Sequence, residues 1–520
     1  MRTTMIIAAL LALAGAARAQ NAQRPLTLDE AVGLALEKNE TIFISRESAA
    51  ASKALASGAR GVYNPLLELQ GFWRETKQPV NSAFSGAPAG EGAPTVESLE
   101  GSAVVSQYLP TGGRLFARAL SGRGETNGTY DLLSPAYQTR VGVELRQPLL
   151  RDLSMDAERV SIRVADAEKK RSAAELRVEI TDTVAEVERA YWDLAAAHAA
   201  VRVGEEAVRL AEEQLAETQA RVDAGAAPQT EISQPRAELE RRRGELLGAR
   251  EIASRADTAL KLLMLADADP ALWEATFVPE VDRDPEILTP DRGAEMERAL
   301  ASRPELDVVR AVIERRAAER KFSHSATRPQ LDAFVSYDRF GISGSGNPYA
   351  TDPQGNPVVV PDTYDGGWGR SWSMLGDEDF DDVRAGLVFS FPLGNDAAQG
   401  ADAAAKHAQR QAEAELTFAR KSVRADVLNA IAALETAGQR IESARAGREA
   451  AEIQLSAERD RYDAGMSTNF LVLTRQNDLS SARLDEISAN LDYRVARTEL
   501  ARATGSLLQQ RGVAVDETER

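Results

Sequence analysis

Two long stretches of this chain carry a large residue at every seventh position, and the second repeats the first 240 residues later. In the first, Val187, Leu194, Val201, Val208, Leu215 and Val222 are interleaved with Ala190, Ala197, Gly204 and Ala211. In the second, Val427, Leu434, Ile441, Arg448, Leu455 and Tyr462 take the large positions, and Ala430, Ala437, Ala444 and Ala451 the small ones. A seven-residue beat held this long is a coiled-coil signal, and a seam of large and small residues lets helix axes approach and interlock. Residues 152–224 contain one Gly and no Pro, so nothing breaks a helix there. At 1.5 Å per residue, helices over about 155–223 and 396–463 are roughly 100 Å long, far beyond the needs of a globular core. An ordinary amphipathic helix is the alternative, and it does not call for the same beat twice.

The duplication runs through the whole chain. Arg221-Val222-Asp223-Ala224-Gly225 recurs as Arg461-Tyr462-Asp463-Ala464-Gly465, 240 residues on. Ala35-Leu36 recurs as Ala299-Leu300 and Pro65-x-Leu67 as Pro329-x-Leu331, both 264 apart, whereas Gln147-Pro148-Leu149 recurs as Phe391-Pro392-Leu393, 244 apart. The first half therefore holds about 20 extra residues, inserted between its strands. Each half reads as a helix (about 28–60 and 290–325), strands (66–149 and 331–393), a very long helix, a sharp turn and a return helix. The domain plan is a first repeat over 20–265 with its hairpin at 152–265, and a linker or equatorial segment over 266–290. A second repeat follows over 291–508 with its hairpin at 396–508, then a loose charged tail over 509–520.

Residues 1–19 read as a secretory signal: Arg2, an apolar run of 13 residues from Met5 to Ala17, and a small-x-small site at Ala17-Arg18-Ala19. The run is too short for a spanning helix, which needs about 20 apolar residues. No Cys occurs anywhere, which excludes disulfides, a thiolate metal site and an N-terminal lipid on cysteine. The formal charge is −18, or −20 once Arg2 and Arg18 leave with the signal. That balance argues against nucleic acid and anionic lipid as partners.

Four segments alternate with period two. Val141, Val143 and Leu145 alternate with Gly142, Glu144 and Arg146; Leu331, Ala333, Val335 and Tyr337 do so with Asp332, Phe334, Ser336 and Asp338. Val383 to Phe391 follows the same rule, and the segment after Pro65, with Leu67, Leu69 and Trp73, follows it more roughly. One apolar and one polar face suits an outer-membrane barrel, with Phe72, Trp73, Tyr337, Phe340 and Phe389 as interface aromatics. A water-soluble sandwich has the same alternation. Spanning strands need a closed barrel, and four are too few, since single-chain barrels start at about eight. If these strands span, several protomers share one barrel. Residues 101–120 add a possible further hairpin.

In this order and spacing, the paired tip motifs, the strand-ending Gln147-Pro-Leu-Leu-Arg151 and Pro392-Leu-Gly-Asn395, and the Pro-x-Leu before each first strand resemble the TolC-like outer-membrane efflux proteins over nearly the whole mature chain. The resemblance implies a mixed α+β membrane protein built from two internal repeats. It implies a homotrimer whose shared β-barrel takes four strands per protomer, twelve in all, continuous with a twelve-helix coiled-coil barrel in the periplasm. It also implies a periplasmic adaptor and an inner-membrane transporter as partners, outer-membrane lipid around the barrel, and passive exit of what the pump delivers. The tip turns, at Arg221, Asp223, Gly225, Arg461, Asp463 and Gly465, would contact the adaptor. Tyr462 matches the family's gate tyrosine and Glu231 an acidic gate residue. Ser467 stands where the archetype has a gate-locking arginine, and Leu471 and Thr474 where it has two entrance aspartates, so its cation-blocking ring is not expected here.

No catalytic constellation is present. His198, His324 and His407 are scattered and match no metal-ligand spacing. The acidic run from Asp377 to Asp382 reads as a solvated loop rather than a cation site, and Leu109-Pro110-Thr111-Gly112 as a turn. The expectation is a channel with no enzyme activity, cofactor or metal. A periplasmic adaptor is the main alternative; it would have one helical hairpin, where this chain has two, each with its own strands. A structural coiled coil would need neither strands nor a signal, and an exported hydrolase lacks a nucleophile.

Overall fold

The two halves fold to one plan, and their break points recur at the sequence offset. The computed structural model describes residues 23–514 apart from 80, 82–85, 89, 227, 282–284, 353–355, 378 and 379, so the signal segment and residues 515–520 lie outside it. A short strand β1 (Gln23–Leu26) precedes helices α1 (Leu28–Lys38) and α2 (Glu40–Ala59) and strands β2 (Leu66–Lys77), β3 (Thr95–Tyr108), β4 (Arg114–Thr126) and β5 (Leu133–Pro148). Helix α3 (Ala157–Asp223) and its return α4 (Ser233–Met264) complete the first half. A short helix α5 (Pro270–Glu274) and strand β6 (Thr276–Pro279) lead to α6 (Arg292–Ser302), α7 (Pro304–Ala326), β7 (Gln330–Gly346), α8 (Trp368–Asp377) and β8 (Asp381–Ser390). Then come α9 (Asp396–Asp463), its return α10 (Asn469–Ala503) and α11 (Leu507–Gln510).

Where the sequence predicts one helix over 28–60, the chain makes two. Asn39 ends the first and starts the second: its Oδ1 accepts from the Thr41 and Ile42 amides at 2.9 and 3.2 Å, satisfying donors that a helix start leaves open. Its counterpart 264 residues later, Arg303, separates α6 from α7, where Pro304 occupies the first turn, the one helical position at which proline's missing amide costs nothing.

The chain divides into two units, one of Met1–Ala51, Lys170–Ala311 and Ala414–Arg520, the other of Ser52–Lys169 and Val312–Glu413. In the first unit the duplicated sequence makes two matching cores. Ala35, Ile42, Val187, Leu194 and Leu260 are buried in one, and their repeat partners Ala299, Leu306, Val427, Leu434 and Leu500 in the other. The heptad explains the helices: the apolar seam of α9 meets α10 through Ala430, Ala437, Ile441, Ala489, Tyr493 and Ala496, and nearer the tip through Ala451, Leu455, Val472 and Leu479.

The segment predicted as a linker contributes structure to this unit. β6 pairs in parallel with β1, from Gln23↔Thr276 to Leu26↔Pro279. His198, met in the sequence as an ordinary helix residue, bonds through Nε2 to the Phe277 carbonyl at 3.1 Å. The tail is not loose where it begins. Residues 507–510 form α11, Leu507 is buried in the core, and the Arg511 guanidinium reaches the buried Glu188 carboxylate at 2.5 Å. A buried carboxylate requires partners; the tail supplies one, and the Thr498 hydroxyl on α10 donates to the other oxygen at 2.5 Å.

The second unit contains one antiparallel sheet of six strands, ordered β2-β3-β4-β5-β7-β8, rather than four. The extra pair is the hairpin of β3 and β4. Side chains alternate between two faces. Leu67, Leu69, Val105, Ala117, Val143, Val335, Tyr337, Val383, Leu387 and Phe389 share one face by register. This face is apolar yet uncovered: Leu69 is 71% exposed, Leu387 67% and Phe389 65%. Of the expected interface aromatics, Trp73, Tyr337 and Phe389 lie on this face, and Phe72 and Phe340 on the other. Connections are unequal. β3 and β4 join through the tight turn at 109–113, near the strand ends that lead to α3. At the opposite ends run the long connections 78–94 and 347–380, the latter containing α8. That helix covers a polar end of the same side of the sheet and leaves the apolar residues named above exposed: Ser371 Oγ lies 2.9 Å from Thr139 Oγ1, and Trp368 Nε1 donates to Ser121 Oγ at 2.6 Å.

The seam carries a prediction. Ala437 is buried against α10, and Ala437→Leu should overpack that contact and lower stability by about 1–3 kcal/mol. Thermal unfolding followed by far-UV circular dichroism measures this; a variant melting with the parent would refute the seam contact.

Candidate functional site

The two hairpin reversals are built alike. At the first, the Gly225 amide donates to the Val222 carbonyl at 2.9 Å and the Ala226 amide to Arg221 at 2.8 Å; at the second, Gly465 donates to Tyr462 at 2.9 Å and Met466 to Arg461 at 2.8 Å. This nested pair of bonds closes a helix through a left-handed residue, and Gly225 and Gly465 have φ of 73° and 72°. Glycine is needed for that backbone conformation rather than for space, since a Cβ at either position would meet nothing within 4 Å.

One contact ties the two tips together. The Arg221 guanidinium donates to the Tyr462 hydroxyl at 2.6 Å and lies over its ring, 5.2 Å from the centroid. The sequence resemblance gives Tyr462 and Glu231 as gate candidates, one in each half. The structure places Glu231 in an exposed helical turn over Gln229–Ile232 and gives the tyrosine to Arg221. Burial pushes the Tyr462 phenol above its usual range; Arg221 pulls it back, and Glu217 and then Glu231 push it up through space. The phenol is therefore neutral at physiological pH, and its oxygen accepts a hydrogen bond from the guanidinium N–H. Around it, Asp223 accepts from Gln219 at 2.9 Å, and the Arg461 guanidinium lies 3.3 Å from Glu458, which also accepts the Ser467 hydroxyl. Asp463 is exposed. Leu471 is partly exposed, and Thr474 bonds its own helix at the Phe470 carbonyl.

The other unit has a feature not drawn from the sequence. The sheet face opposite the apolar one carries paired charges. Arg140 grips Asp338 with two bonds, at 3.0 and 2.9 Å. Arg118 meets Glu144 at 2.6 Å, with Arg146 on the same carboxylate at 3.4 Å. Arg384 meets Asp382 at 2.6 Å. Asp338 crosses β5 at Gly142, where a Cβ would lie 1.9 Å from its Oδ1. The strict alternation of Glu144 and Arg146 with Val143 and Leu145 held the signal, but cross-strand partners depend on register. Asp382, from the acidic run, belongs to this face, while residues 378 and 379 lie outside the described residues. Among the described residues, no group of three or more His, Cys, Asp or Glu could hold a metal ion, and no helix is long and apolar enough to cross a membrane.

The sequence profile described as outer membrane efflux protein matches residues 117–264 and 296–506. The outer membrane efflux protein BepC of Brucella suis is 24% identical over 404 residues, covering 74% of this chain and 77% of BepC. The Campylobacter jejuni CmeC outer membrane channel superposes with a TM-score of 0.63 at 15% identity, over 95% of this chain and 90% of CmeC. The outer membrane protein VceC of Vibrio cholerae gives 0.61 at 15% identity, over 92% and 96%.

The tip geometry predicts the effect of a side chain at the reversals. Gly465→Ala should cost about 1–2 kcal/mol of local stability, the penalty of a left-handed non-glycine residue, and Gly465→Asn less. Faster amide hydrogen exchange over residues 461–466 in the alanine variant reads this directly; unchanged exchange would mean that the turn relaxes to another conformation.

Proposed function

The chain belongs to the outer membrane efflux protein family, whose members are passive outer-membrane channels and not enzymes, and from that premise we propose that three copies form one exit duct of a tripartite pump. In this reading the duct lies in the outer membrane with its helical part in the periplasm. An inner-membrane transporter and a periplasmic adaptor deliver the cargo. The observation that carries the reading is the six-stranded sheet with one exposed apolar face, one charged face and two open edges. An apolar face of this extent belongs in lipid, and open edges in lipid leave backbone groups unpaired, so neighbouring copies have to close the wall. The charged face then lines water. Fractionation followed by mass measurement of the detergent-extracted protein tests this: three chains per particle from the outer membrane are expected, and a soluble periplasmic monomer would defeat the reading.

The tips are the gate in the same proposal, with Arg221, Asp223, Gly225, Arg461, Asp463 and Gly465 forming the surface met by the adaptor. The Arg221–Tyr462 contact holds the two hairpins of one protomer together at rest, and opening exchanges it for another packing. Glu231 acts on Tyr462 only through space. Tyr462→Phe combined with Arg221→Ala should therefore raise resting conductance in planar bilayers several-fold, with Glu231→Gln the weaker change. Conductance equal to the parent's in the double variant would remove this contact from gating.

A further inference from the structure

We propose that the shared barrel of this protein has eighteen strands, six from each of three copies, with β8 of one copy paired to β2 of the next. Four strands per copy would give twelve. The inference rests on the trimer proposed above and concerns what the hairpin of β3 and β4 does within it.

The hairpin is part of the wall and not a loop laid against it. β3 pairs with β2 at twelve positions, from Leu66↔Ser106 to Lys77↔Thr95. On its other side it pairs with β4 at thirteen positions, from Val96↔Thr126 to Tyr108↔Arg114. β4 in turn pairs with β5 from Arg114↔Arg146 to Gly124↔Ala136. The hairpin therefore stands between β2 and β5, and among the described residues β2 pairs with β3 alone. A twelve-stranded wall would have to expel the hairpin and join β2 to β5, breaking both sets of pairs.

The side chains say the same as the backbone. Leu99, Ala103 and Val105 of β3 and Ala117 and Ala119 of β4 carry the apolar face without a gap from Leu69 to Val143. On the reverse face Arg118 of β4 bonds Glu144 of β5 at 2.6 Å, so the hairpin shares the charged face as well. At 14 and 13 residues, both strands exceed the 9–11 that a tilted spanning strand needs. Their joining turn is fastened to the end of β5, where the Thr111 hydroxyl lies 2.7 Å from Gln147 Oε1. A tight turn at the ends leading to the helices and long connections at the other is the pattern of outer-membrane strands.

The free edges fit each other. Strand direction alternates along the sheet, so β8 runs opposite to β2, and the two edges offer 10 and 12 residues. Joined between copies they make an antiparallel pair like every other in the sheet. Barrel diameter grows roughly in proportion to strand number, so eighteen strands give about 1.5 times the diameter that twelve would. The barrel is then a wide opening.

The unmodified trimer in a lipid nanodisc, imaged by electron cryomicroscopy, tests the count. Eighteen strands are expected; a closed barrel of twelve would overturn the inference and leave the trimer standing, whereas a monomeric particle would overturn the reading beneath it. The absence of native Cys allows a second measurement. Leu69→Cys with Ala103→Cys, partners across β2 and β3, and Ala117→Cys with Val143→Cys, partners across β4 and β5, should each cross-link within one chain in isolated outer membranes. Leu69→Cys with Leu387→Cys should instead link neighbouring chains. Efficient bonding of Leu69→Cys to Val143→Cys within one chain would mean that β2 meets β5 directly, and would refute the eighteen-stranded wall.

Discussion

A helix of 67 or 68 residues is far longer than a globular core needs, and intrinsic propensity does not hold such a helix in one place. From Val423 to the tip, what holds α9 is its apolar seam with α10; nearer its start, side chains of α7 meet it, as Arg320 meets Gln409 at 3.1 Å. Ala430, Ala437 and Ala451 are buried in that seam beside Val427, Leu434, Ile441 and Leu455. The rest of the architecture presupposes that contact. It keeps the hairpins straight enough to bring Arg221 and Tyr462 to the same level, 241 residues apart in sequence. It also leaves the outer faces free for charged side chains, such as Arg209 between Glu206 and Glu213.

Much of this was legible in the sequence because the chain repeats itself. The offset of 264 in the early helices reappears in the break points at Asn39 and Arg303, and the offset of 240 in the paired cores. Strand number was less legible for a physical reason. In β3 and β4 the positions on the apolar face include Gly101, Ala103, Ala117, Ala119 and Ser121, small residues that dilute the alternation a hydropathy pattern depends on. The 20-residue insertion was visible in the offsets, but its pairing was not. The tail was misread because its composition is that of a solvated end, while the buried Glu188 that binds Arg511 lies 323 residues away.

The tip shows the limit of motif transfer. The resemblance singled out Tyr462 and Glu231 separately and named no hydrogen-bond partner for the tyrosine, and a phenol accepts as readily as it donates. Here the repeat itself provided the donor, since Arg221 and Arg461 are equivalent positions in the two halves and only one has a tyrosine opposite. On the sheet, likewise, each charged residue was visible, but pairing had to await register. Arg140–Asp338 and Arg118–Glu144 turn a face rich in ions into one whose charges largely cancel locally. In the duct proposed above, a wall of matched pairs would present polarity to passing solutes without a ring of one sign to trap them.

The hairpin of β3 and β4 also bears on how such a sheet can grow. In an antiparallel sheet, inserting a single strand would reverse the direction of every strand after it, and β5 would deliver the chain to the wrong side to begin α3. Inserting two restores direction. The added turn and the added loop fall on opposite sides of the sheet, and β5, β7 and β8 keep their original sense. The hairpin is therefore the smallest increment by which one half of the chain can widen the wall while the long helices, and everything they carry, stay where they were.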